Sequence, residues 1–496
     1  MLVLLRRAAA LLALGAVSTP SLAAQRNAPS TYAITNARLV PVSAPAIDKG
    51  TIVIRDGLIV ALGASVAVPA DARVIDGTGL TVYPGLFDAL GTIGIASAAP
   101  AGVAGRGGGA AAALAALAAP AATGRGGDGS SADKPRGVEP EASAAEQVKL
   151  DEDALDGPRS AGIATALTVP NVGIFQGQSA LINLAGSSAA AMIVRPNVAQ
   201  HISFSSGRGF GGGYPNSLMG VFAVLRQELL DAGRYRDLQA AYAKNPKNMQ
   251  RLEFDPSLEA LLPALAGKQP VVMVANTQRE IERALDLGKE FGLRVIIAGG
   301  SEAYLLAPRL KAENVPVLLS INFPRRTAAP LPDADPEPLR LLRERVEAPK
   351  GPGRLAAAGV KFAFQSGGMT TWSDYTANVQ RAVEGGLSAE QAIRALTWQP
   401  AELFGVSDRL GSLEVGKIAN LTVTKGDLSD KAVRISQLFV DGRPVALHPP
   451  PPAGAPGGAN GGRQGGAGPV PVPPDEPDDH MAAGTPSSIT HRESPR

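Results

Sequence analysis

The stretch VVMVANTQREIERALDLGKEFGLRVIIAGG, residues 271–300, holds two apolar runs on either side of a polar, helix-forming segment. Both runs are short and rich in β-branched residues, which is typical of strands buried on both faces. Between them Thr277 and Glu280 form a T-x-x-E capping box, and Gly292 stands where a helix would end. The pattern predicts two parallel strands joined by a helical crossover.

The same alternation extends to both sides of this stretch. Apolar runs suited to buried strands occur at residues 163–168, 271–275, 295–298, 315–321 and 361–365. Ser388 and Gln391 form a second capping box, and the helix that it opens has Ala392, Ile393 and Leu396 on one face. Alternating strands and helices predict an α/β fold with a parallel sheet, and the length suits a (β/α)8 TIM barrel, which needs ~250 residues.

Segments of a different kind flank this region. Residues 32–82 and 413–445 consist of short β-branched runs separated by Asn, Asp and Gly, which is a pattern of strands and turns. We therefore expect a small β-sandwich formed from both chain ends. Its parts are residues 24–82 and 411–448, and the barrel occupies residues 83–410.

The first residues have the layout of a secretory signal peptide. Arg6 and Arg7 precede an apolar run at 8–17, and residues 21–23 form a small-x-small cleavage site. The alternative is an N-terminal membrane anchor, but the run is shorter than the ~20 residues that span a bilayer. We expect cleavage after residues 1–23, a periplasmic or secreted mature protein, and no membrane association once the signal is removed.

Two segments have compositions that do not predict a packed core. Residues 96–128 contain 15 Ala and 8 Gly, which indicates either a tolerated surface insertion or a loop with a covering or attachment role. Residues 449–496 are rich in Pro and Gly with few large apolar side chains, which predicts a disordered tail.

Composition excludes several classes of protein. The net charge is only +2, which argues against a nucleic-acid partner. Cysteine is absent, so disulfides, thiolate metal sites and cysteine nucleophiles are excluded. The four histidines are His201, His448, His480 and His491, and three of them lie near the C-terminus. Chemistry that needs a cluster of imidazoles is therefore nearly excluded.

Three stretches, in the right order, resemble the amidohydrolase superfamily. VYPGLFDA at 82–89 resembles its first barrel strand, and residues 386–423 resemble its passage from the last helices to the β-sandwich. Residues 271–304 are similar to the imidazolonepropionase-like branch. The resemblance covers roughly residues 32–445. It implies a TIM barrel that binds Zn²⁺ or another divalent metal at the carboxyl ends of its strands and generates a hydroxide there.

The resemblance also implies a ligand set, and this chain departs from it at every position. The usual ligands are a His-x-His pair, a carbamylated lysine, two further histidines and an aspartate. The matching positions hold Leu90, Thr92, Asn183, Val274, Gly299 and Gly367. A divalent ion needs three or four good donors, and these side chains do not supply them. We therefore expect a degenerate metal site and no metal cofactor.

A few polar residues remain as candidates for chemistry or binding. Weak catalytic candidates are His201, Glu302 and Asp374, although a structural histidine and a carboxylate at a helix N-terminus are the simpler interpretations of the first two. Pocket candidates, most of which follow predicted strands, are Asp88, Asn276, Ser301, Tyr304, Gln365, Ser366 and Trp372. For Asp88 we expect a buried hydrogen-bond acceptor.

These observations leave three functional hypotheses. The first is an exported, catalytically silent amidohydrolase homologue, a pseudoenzyme that acts as a binding or partner subunit, either as a homo-oligomer or beside an active relative. The second is an active amidohydrolase that hydrolyses peptide bonds or non-peptide C–N bonds, as in cyclic amides, with atypical ligands. The third is a metal-free binder of a sugar, a peptide or another small molecule, built from amides and hydroxyls at the barrel mouth.

Overall fold

This computed structural model describes residues 30–95, 135, 137–170, 173–204, 214–215, 217–325, 337–369, 371–430 and 433–447. The predicted signal peptide (1–23), the insertion (96–128) and the tail (449–496) lie outside the described residues. So do His448, His480 and His491.

Strands occupy both ends and the middle of the described chain. In chain order, β1 to β18 are Thr31–Leu39, Ile47–Arg55, Leu58–Gly63, Arg73–Asp76, Leu80–Pro84, Leu86–Gly91, Ile163–Thr168, Phe175–Gln178, Ala180–Asn183, Ile193–Arg195, Gln200–Ser203, Val271–Ala275, Val295–Gly299, Val317–Ser320, Phe362–Gln365, Leu421–Lys425, Arg434–Val440 and Arg443–Val445.

Helices connect the strands of the middle region. In chain order, α1 to α12 are Ala144–Gln147, Glu152–Ser160, Ala189–Met192, Leu218–Lys244, Pro256–Leu265, Gln278–Phe291, Ala307–Ala312, Leu339–Glu347, Gly351–Ala357, Ser373–Glu384, Ala389–Leu396 and Trp398–Leu403. Short 3-10 helices occupy Ala303–Leu306 and Ala348–Lys350. Across the residues described, no helix combines the length and the apolar character that a membrane crossing requires.

The predicted crossover around residue 271 is confirmed. The Thr277 side chain accepts the Glu280 backbone N–H, and the Glu280 carboxylate accepts the Thr277 N–H, so both bonds of the capping box are present at the start of α6. Gly292 ends the helix in the left-handed region at φ 65°, which glycine adopts without steric cost. The second predicted box also opens a helix, because Ser388 accepts from the N–H of Gln391 at the start of α11.

The β-rich ends of the chain share one sheet. Its strand order is β18-β17-β16-β5-β1-β2-β3, with β4 paired to β1, so eight strands from both ends combine. The joint between the ends is the antiparallel pair β5 and β16, in which Leu421 lies opposite Pro84. Both β-rich ends of the chain, from which we expect a β-sandwich, thus contribute strands to this one sheet.

The middle region forms two further sheets, with strand orders β15-β14-β13-β12-β11-β8 and β10-β9-β7-β6. Strands β11 to β15 are parallel, as are β6 and β7. The two sheets meet where β6 lies beside β15, and there the Asp88 carboxylate accepts the backbone N–H of Ser366. We call the ends of these parallel strands the carboxyl edge and their starts the amino edge.

Both faces of the parallel strands are buried, as their apolar sequences predict. In β12, Val271 and Met273 pack in the large apolar cluster shared with the helices. Val272 between them belongs to a second cluster, which also holds Phe87, Leu181, Ile296, Leu318 and Ala363 from neighbouring strands. Predicted and observed strand bounds agree at 163–168 and 271–275 and differ by one or two residues elsewhere.

Candidate functional site

The carboxyl edge gathers most positions at which the family resemblance places metal ligands. Leu90 lies near the end of β6, Val274 near the end of β12, and Gly299 at the end of β13. Gly367 follows β15 by two residues. Leu90 is buried in the apolar cluster and Val274 packs against it, while Thr92 is exposed just beyond β6. The side chains of Leu90 and Val274 carry no donor atom for a metal, and the two glycines have no side chain.

A longer side chain at Gly299 would be strained and would collide with a neighbouring side chain. Its φ is 94°, and a Cβ added there would lie 2.2 Å from the Asn276 side-chain oxygen. The backbone of Asn276 is held in place, because its N–H donates to Glu280 and its carbonyl accepts from Ser301 Oγ and from the Glu302 N–H. A ligand side chain at position 299 would therefore have to displace the exposed Asn276 amide.

Gly367 shows the same relationship on the neighbouring strands. Its φ is 61°, and an added Cβ would lie 2.1 Å from the Ser320 hydroxyl at the end of β14. The Asn322 side chain donates to the Gly367 carbonyl at 3.1 Å. Ser320 and Asn322 are absent from the sequence-based site. Their signal is the polar ending of the otherwise apolar run VPVLLSIN at 315–322.

Asn183 lies elsewhere, which corrects its placement with the other five positions. Strand β9 runs antiparallel to β7, and Asn183 pairs with Thr165 near the start of β7, on the amino-edge side. The Asn183 amide oxygen accepts from Thr165 Oγ1 and from Asn420 at 3.0 and 2.8 Å, and its nitrogen donates to Asp441 at 2.8 Å. These bonds join the parallel sheet to the sheet of the chain ends.

Asp88 is fully buried at the junction of β6 and β15. Its Oδ1 accepts the Ser366 N–H at 2.8 Å and the Leu90 N–H at 3.4 Å, while no hydrogen-bond partner is found for its Oδ2 among the described residues. Burial raises the pKa of Asp88 to about 6, against the opposing effect of the hydrogen bonds from Ser366 and Leu90. The predicted role as a buried acceptor matches this geometry.

His201 is also completely buried, and it is on β11 beside Val272 and Gly177. Neither ring nitrogen has a hydrogen-bond partner in the described part of the protein. Burial lowers the pKa of His201 to about 3, so the imidazole is neutral near pH 7. A general base needs access to a substrate proton, and this ring lacks solvent access.

The other catalytic candidates have structural partners. The Glu302 carboxylate accepts the Gln278 N–H at 2.7 Å, which places it at the N-terminus of α6, where a negative charge is favourable. Asp374 forms an ion pair with Arg325 at 2.8 Å. The sequence interpretation did not include Arg325, which lies five residues after the end of β14.

The remaining pocket candidates do not converge. Tyr304 packs under the Arg354 guanidinium at 4.7 Å, and burial raises its pKa. Gln365 and Ser366 are buried, and the Gln365 amide donates to the Leu318 carbonyl at 2.7 Å. Trp372 packs close to Gly157 of α2. Of the pocket candidates, Asn276 is exposed at the carboxyl edge and Ser301 is partly exposed beside it.

The described residues contain no group of three or more His, Asp or Glu side chains able to hold a metal ion. Near the edge, Glu302 and Glu280 cap α6, Asp374 pairs with Arg325, and the buried Asp88 accepts from Ser366 and Leu90, so these carboxylates do not form one cluster. The residues present therefore do not fit the metal that the family resemblance implies.

Comparison with known proteins gives the family context. Residues 345–445 match the amidohydrolase family model. Over 68 residues the chain is 44% identical to adenine deaminase from Moorella thermoacetica, a match that covers 14% of this chain and 11% of that enzyme. The chain thus spans about a tenth of that curated relative.

Solved structures extend the likeness over most of the chain. An amidohydrolase from Thermotoga maritima MSB8 is 23% identical, with 84% of this chain and 100% of that chain covered and a TM-score of 0.68. A second amidohydrolase structure is 16% identical, covers 84% of this chain and 99% of its own, and has a TM-score of 0.50. The chain has the fold of these amidohydrolases and carries an amidohydrolase family domain at residues 345–445.

Proposed function

We propose that this protein is an exported amidohydrolase homologue of the imidazolonepropionase-like branch, with a (β/α)8 barrel that no longer holds a metal. It serves as a binding or partner subunit and not as a hydrolase. The observation that carries the proposal is the backbone and packing at Gly299 and Gly367, which have φ of 94° and 61° and side-chain atoms of Asn276 and Ser320 at 2.2 and 2.1 Å from an added Cβ. A ligand side chain at either position would therefore need a strained backbone and a shift of Asn276 or Ser320.

The donor chemistry at the carboxyl edge supports the same proposal. A catalytic metal in this fold would generate a hydroxide for attack on a C–N bond. Leucine, valine and glycine at the ligand positions offer no lone pair, and the threonine hydroxyl at position 92 is a weak ligand. His201 points to the same side of its strand as the apolar Val272, with which it pairs in the parallel register.

Metal content of the purified full chain tests the proposal. The protein is expressed with Zn²⁺, Mn²⁺, Co²⁺ and Fe²⁺ in the medium, and an amidohydrolase with a complete ligand set is purified in parallel as the control. We expect less than about 0.1 metal ion per chain, because no donor set is available. About one tightly held ion per chain, together with hydrolysis of cyclic amides or dipeptides, would establish the active-hydrolase alternative.

A metal-free binder is a second candidate, and one observation favours it. Asn276 and Asn322 are exposed at the carboxyl edge, and Ser320 is partly exposed at the end of β14. Amides and hydroxyls at this edge suit neutral polar ligands such as sugars and peptides. A thermal-shift screen of sugars and peptides measures this, with Asn322→Ala as the variant expected to lose the response.

The partner role has its own measurement. A subunit that works as a homo-oligomer gives a concentration-dependent mass in light scattering. One that works beside an active amidohydrolase co-purifies with it from the native source. Cell fractionation and N-terminal sequencing of the mature protein test the proposed export and the cleavage after residue 23.

A further inference from the structure

A large cavity lies on the amino edge, away from the positions discussed above. Its volume is about 850 Å³, within the range of small-molecule sites. The starts of β13, β14 and β15 form one side, and the ends of α6 and α7 form the other. Nothing in the proposed function uses this cavity.

The acidic side chains that line the cavity are already paired. Glu402 accepts Lys361 at 2.8 Å, and both belong to the lining. Glu313 is paired with Arg309 at 2.8 Å, and Arg309 is outside the lining. Neither carboxylate is therefore left to neutralise the other cations of the cavity.

Three lining cations remain. They are Lys289 near the end of α6, Arg294 just before β13, and Lys311 near the end of α7. In the described ranges no carboxylate lies within the 4.0 Å ion-pair distance of any of them. Arg294 donates only to the Gly267 carbonyl, at 3.3 Å. The cavity therefore has an excess of positive charge.

Lys289 and Lys311 lie near helix C-termini, where a lysine commonly caps the helix, but their ammonium groups do not have that role here. Cations near helix C-termini often bond the last carbonyls. Here those carbonyls have backbone partners: the Gly288 carbonyl accepts from the Leu293 N–H at 2.8 Å, and the Leu310 carbonyl accepts from the Val315 N–H at 2.9 Å. The helix ends are closed without the lysine side chains.

The floor of the cavity is apolar. Val295 and Val315 at the strand starts form its surface, and Leu285 and Leu310 from the helices are buried behind them. Val295 and Val315 keep 8% of their surface exposed, so a ligand can contact them. An apolar floor beneath a cationic rim suits a molecule with an apolar body and an anionic head group.

We propose that the amino-edge cavity binds a small amphipathic anion, an aromatic or aliphatic acid, with its anionic group held by Lys289, Arg294 and Lys311. The apolar body lies against Val295 and Val315. The proposal is independent of the proposed function, because the cavity is at the opposite edge from Gly299 and Gly367 and needs no metal.

The test uses 8-anilinonaphthalene-1-sulfonate, an aryl sulfonate whose fluorescence rises in apolar surroundings. Titration of the full chain is expected to give one site per chain whose affinity falls as salt is added. Replacing the three cations together, as Lys289→Gln, Arg294→Gln and Lys311→Gln, is expected to weaken binding about tenfold or more. Lys311→Glu alone weakens it further than Lys311→Gln, and Lys311→Arg retains it.

Arg234→Gln is the matched control. Arg234 is an exposed cation in a second groove, lined in part by Leu229, Leu230 and Phe291. We expect the Arg234→Gln variant to bind the dye with the same affinity as the unchanged protein. All substituted residues are exposed, so we expect little change in melting temperature, and a variant with unchanged melting temperature and lost dye binding reports the site itself.

Two results would overturn the proposal. One is unchanged dye affinity in the triple variant with loss in Arg234→Gln, which would place the dye in the second groove. The other is displacement of the dye by inorganic phosphate as effectively as by decanoate at equal ionic strength, which would show that the apolar floor contributes nothing.

Discussion

Asp88 Oδ1 accepts the backbone N–H of Ser366 at 2.8 Å, although 278 residues separate the two in sequence. This bond links β6 to the residue that follows β15, at the junction of the two parallel sheets. Next to it, the buried Tyr375 hydroxyl donates to the Phe87 carbonyl at 2.8 Å. The junction therefore depends on a carboxyl group whose pKa burial raises to about 6.

Replacing Asp88 with asparagine is expected to change how stability depends on pH. The folded protein holds the Asp88 proton more tightly than the unfolded chain, whose pKa is near 3.8. The stability from this group is therefore present below pH 3.8 and is lost as pH rises through 6, a loss of about 3 kcal/mol at pH 7. Urea unfolding should show Asp88→Asn gaining stability relative to the unchanged protein from pH 4 to pH 7, by up to that amount.

The control for this prediction is Asp48→Asn, since the Asp48 side chain is 96% exposed. It measures what the same substitution does at an exposed carboxylate. If the difference between Asp88→Asn and the unchanged protein did not change between pH 4 and pH 7, the prediction for the buried carboxyl would be wrong.

The contribution of His201 to stability is expected to depend on pH in the opposite direction to that of Asp88. Its pKa in the folded protein is about 3, against 6.5 for the ordinary imidazole. The unfolded chain takes up a proton first as pH falls, so the stability from neutral His201 is present above pH 6.5 and is lost on acidification. His201→Leu should therefore gain about 3 kcal/mol relative to the unchanged protein between pH 7 and pH 4, measured by urea unfolding.

His201→Gln separates the charge from the packing. Glutamine does not ionise, so it should show the same pH dependence as His201→Leu. Leucine also removes two buried nitrogens that have no hydrogen-bond partner in the described structure, so only His201→Leu should gain stability at pH 7. A loss of more than about 1 kcal/mol for His201→Leu at pH 7 would mean that the imidazole has a hydrogen-bond partner such as buried water.

The sequence predicts the architecture well where local signals agree with the fold. The Thr277 capping box, the Gly292 helix end and the run at 271–275 each specify their own element, and the structure contains all three. Contacts across the chain are different. The bond between Asp88 and Ser366 arises from the meeting of two sheets, and no local pattern near either residue encodes it.

Asn183 shows why the position of a site residue in the fold could not be predicted from the sequence alone. The family resemblance placed it among the metal positions, because matching a stretch of sequence to a family does not reveal strand direction. Strand β9 is antiparallel to β7, and the reversal carries Asn183 to the amino-edge side. The space around Gly299 and Gly367 is likewise set by Asn276 and Ser320, which come from adjacent strands and have no sequence relation to the glycines.

Asn183→Ala is expected to destabilise the protein without affecting the amino-edge cavity, whose lining does not include Asn183. The substitution removes the oxygen that accepts from both the Asn420 amide and the Thr165 hydroxyl. It also removes the nitrogen that donates to Asp441. Loss of partners for buried polar groups costs about 1–3 kcal/mol. We expect that loss in urea unfolding, with unchanged dye binding at the amino-edge cavity. A cost below about 0.5 kcal/mol would show that the cluster contributes little.

The packing at Gly367 can be measured against its neighbour. Gly367 and Gly368 both have positive φ, 61° and 72°, but an added Cβ meets Ser320 at 2.1 Å only at Gly367, and at Gly368 it meets nothing within 4 Å. Gly368→Ala therefore reports the backbone cost alone, about 1–2 kcal/mol, and Gly367→Ala should cost at least about 1 kcal/mol more.

Removing the Ser320 hydroxyl should recover the additional free-energy cost of Gly367→Ala. In Ser320→Gly combined with Gly367→Ala, the double-mutant cycle is expected to show a favourable coupling of about 1 kcal/mol or more, while Ser320→Gly with Gly368→Ala shows none. Equal costs at the two glycines would mean that a side chain fits at Gly367. The packing argument against a ligand at that position would then fail, and the absence of a donor there would rest on the residue type alone.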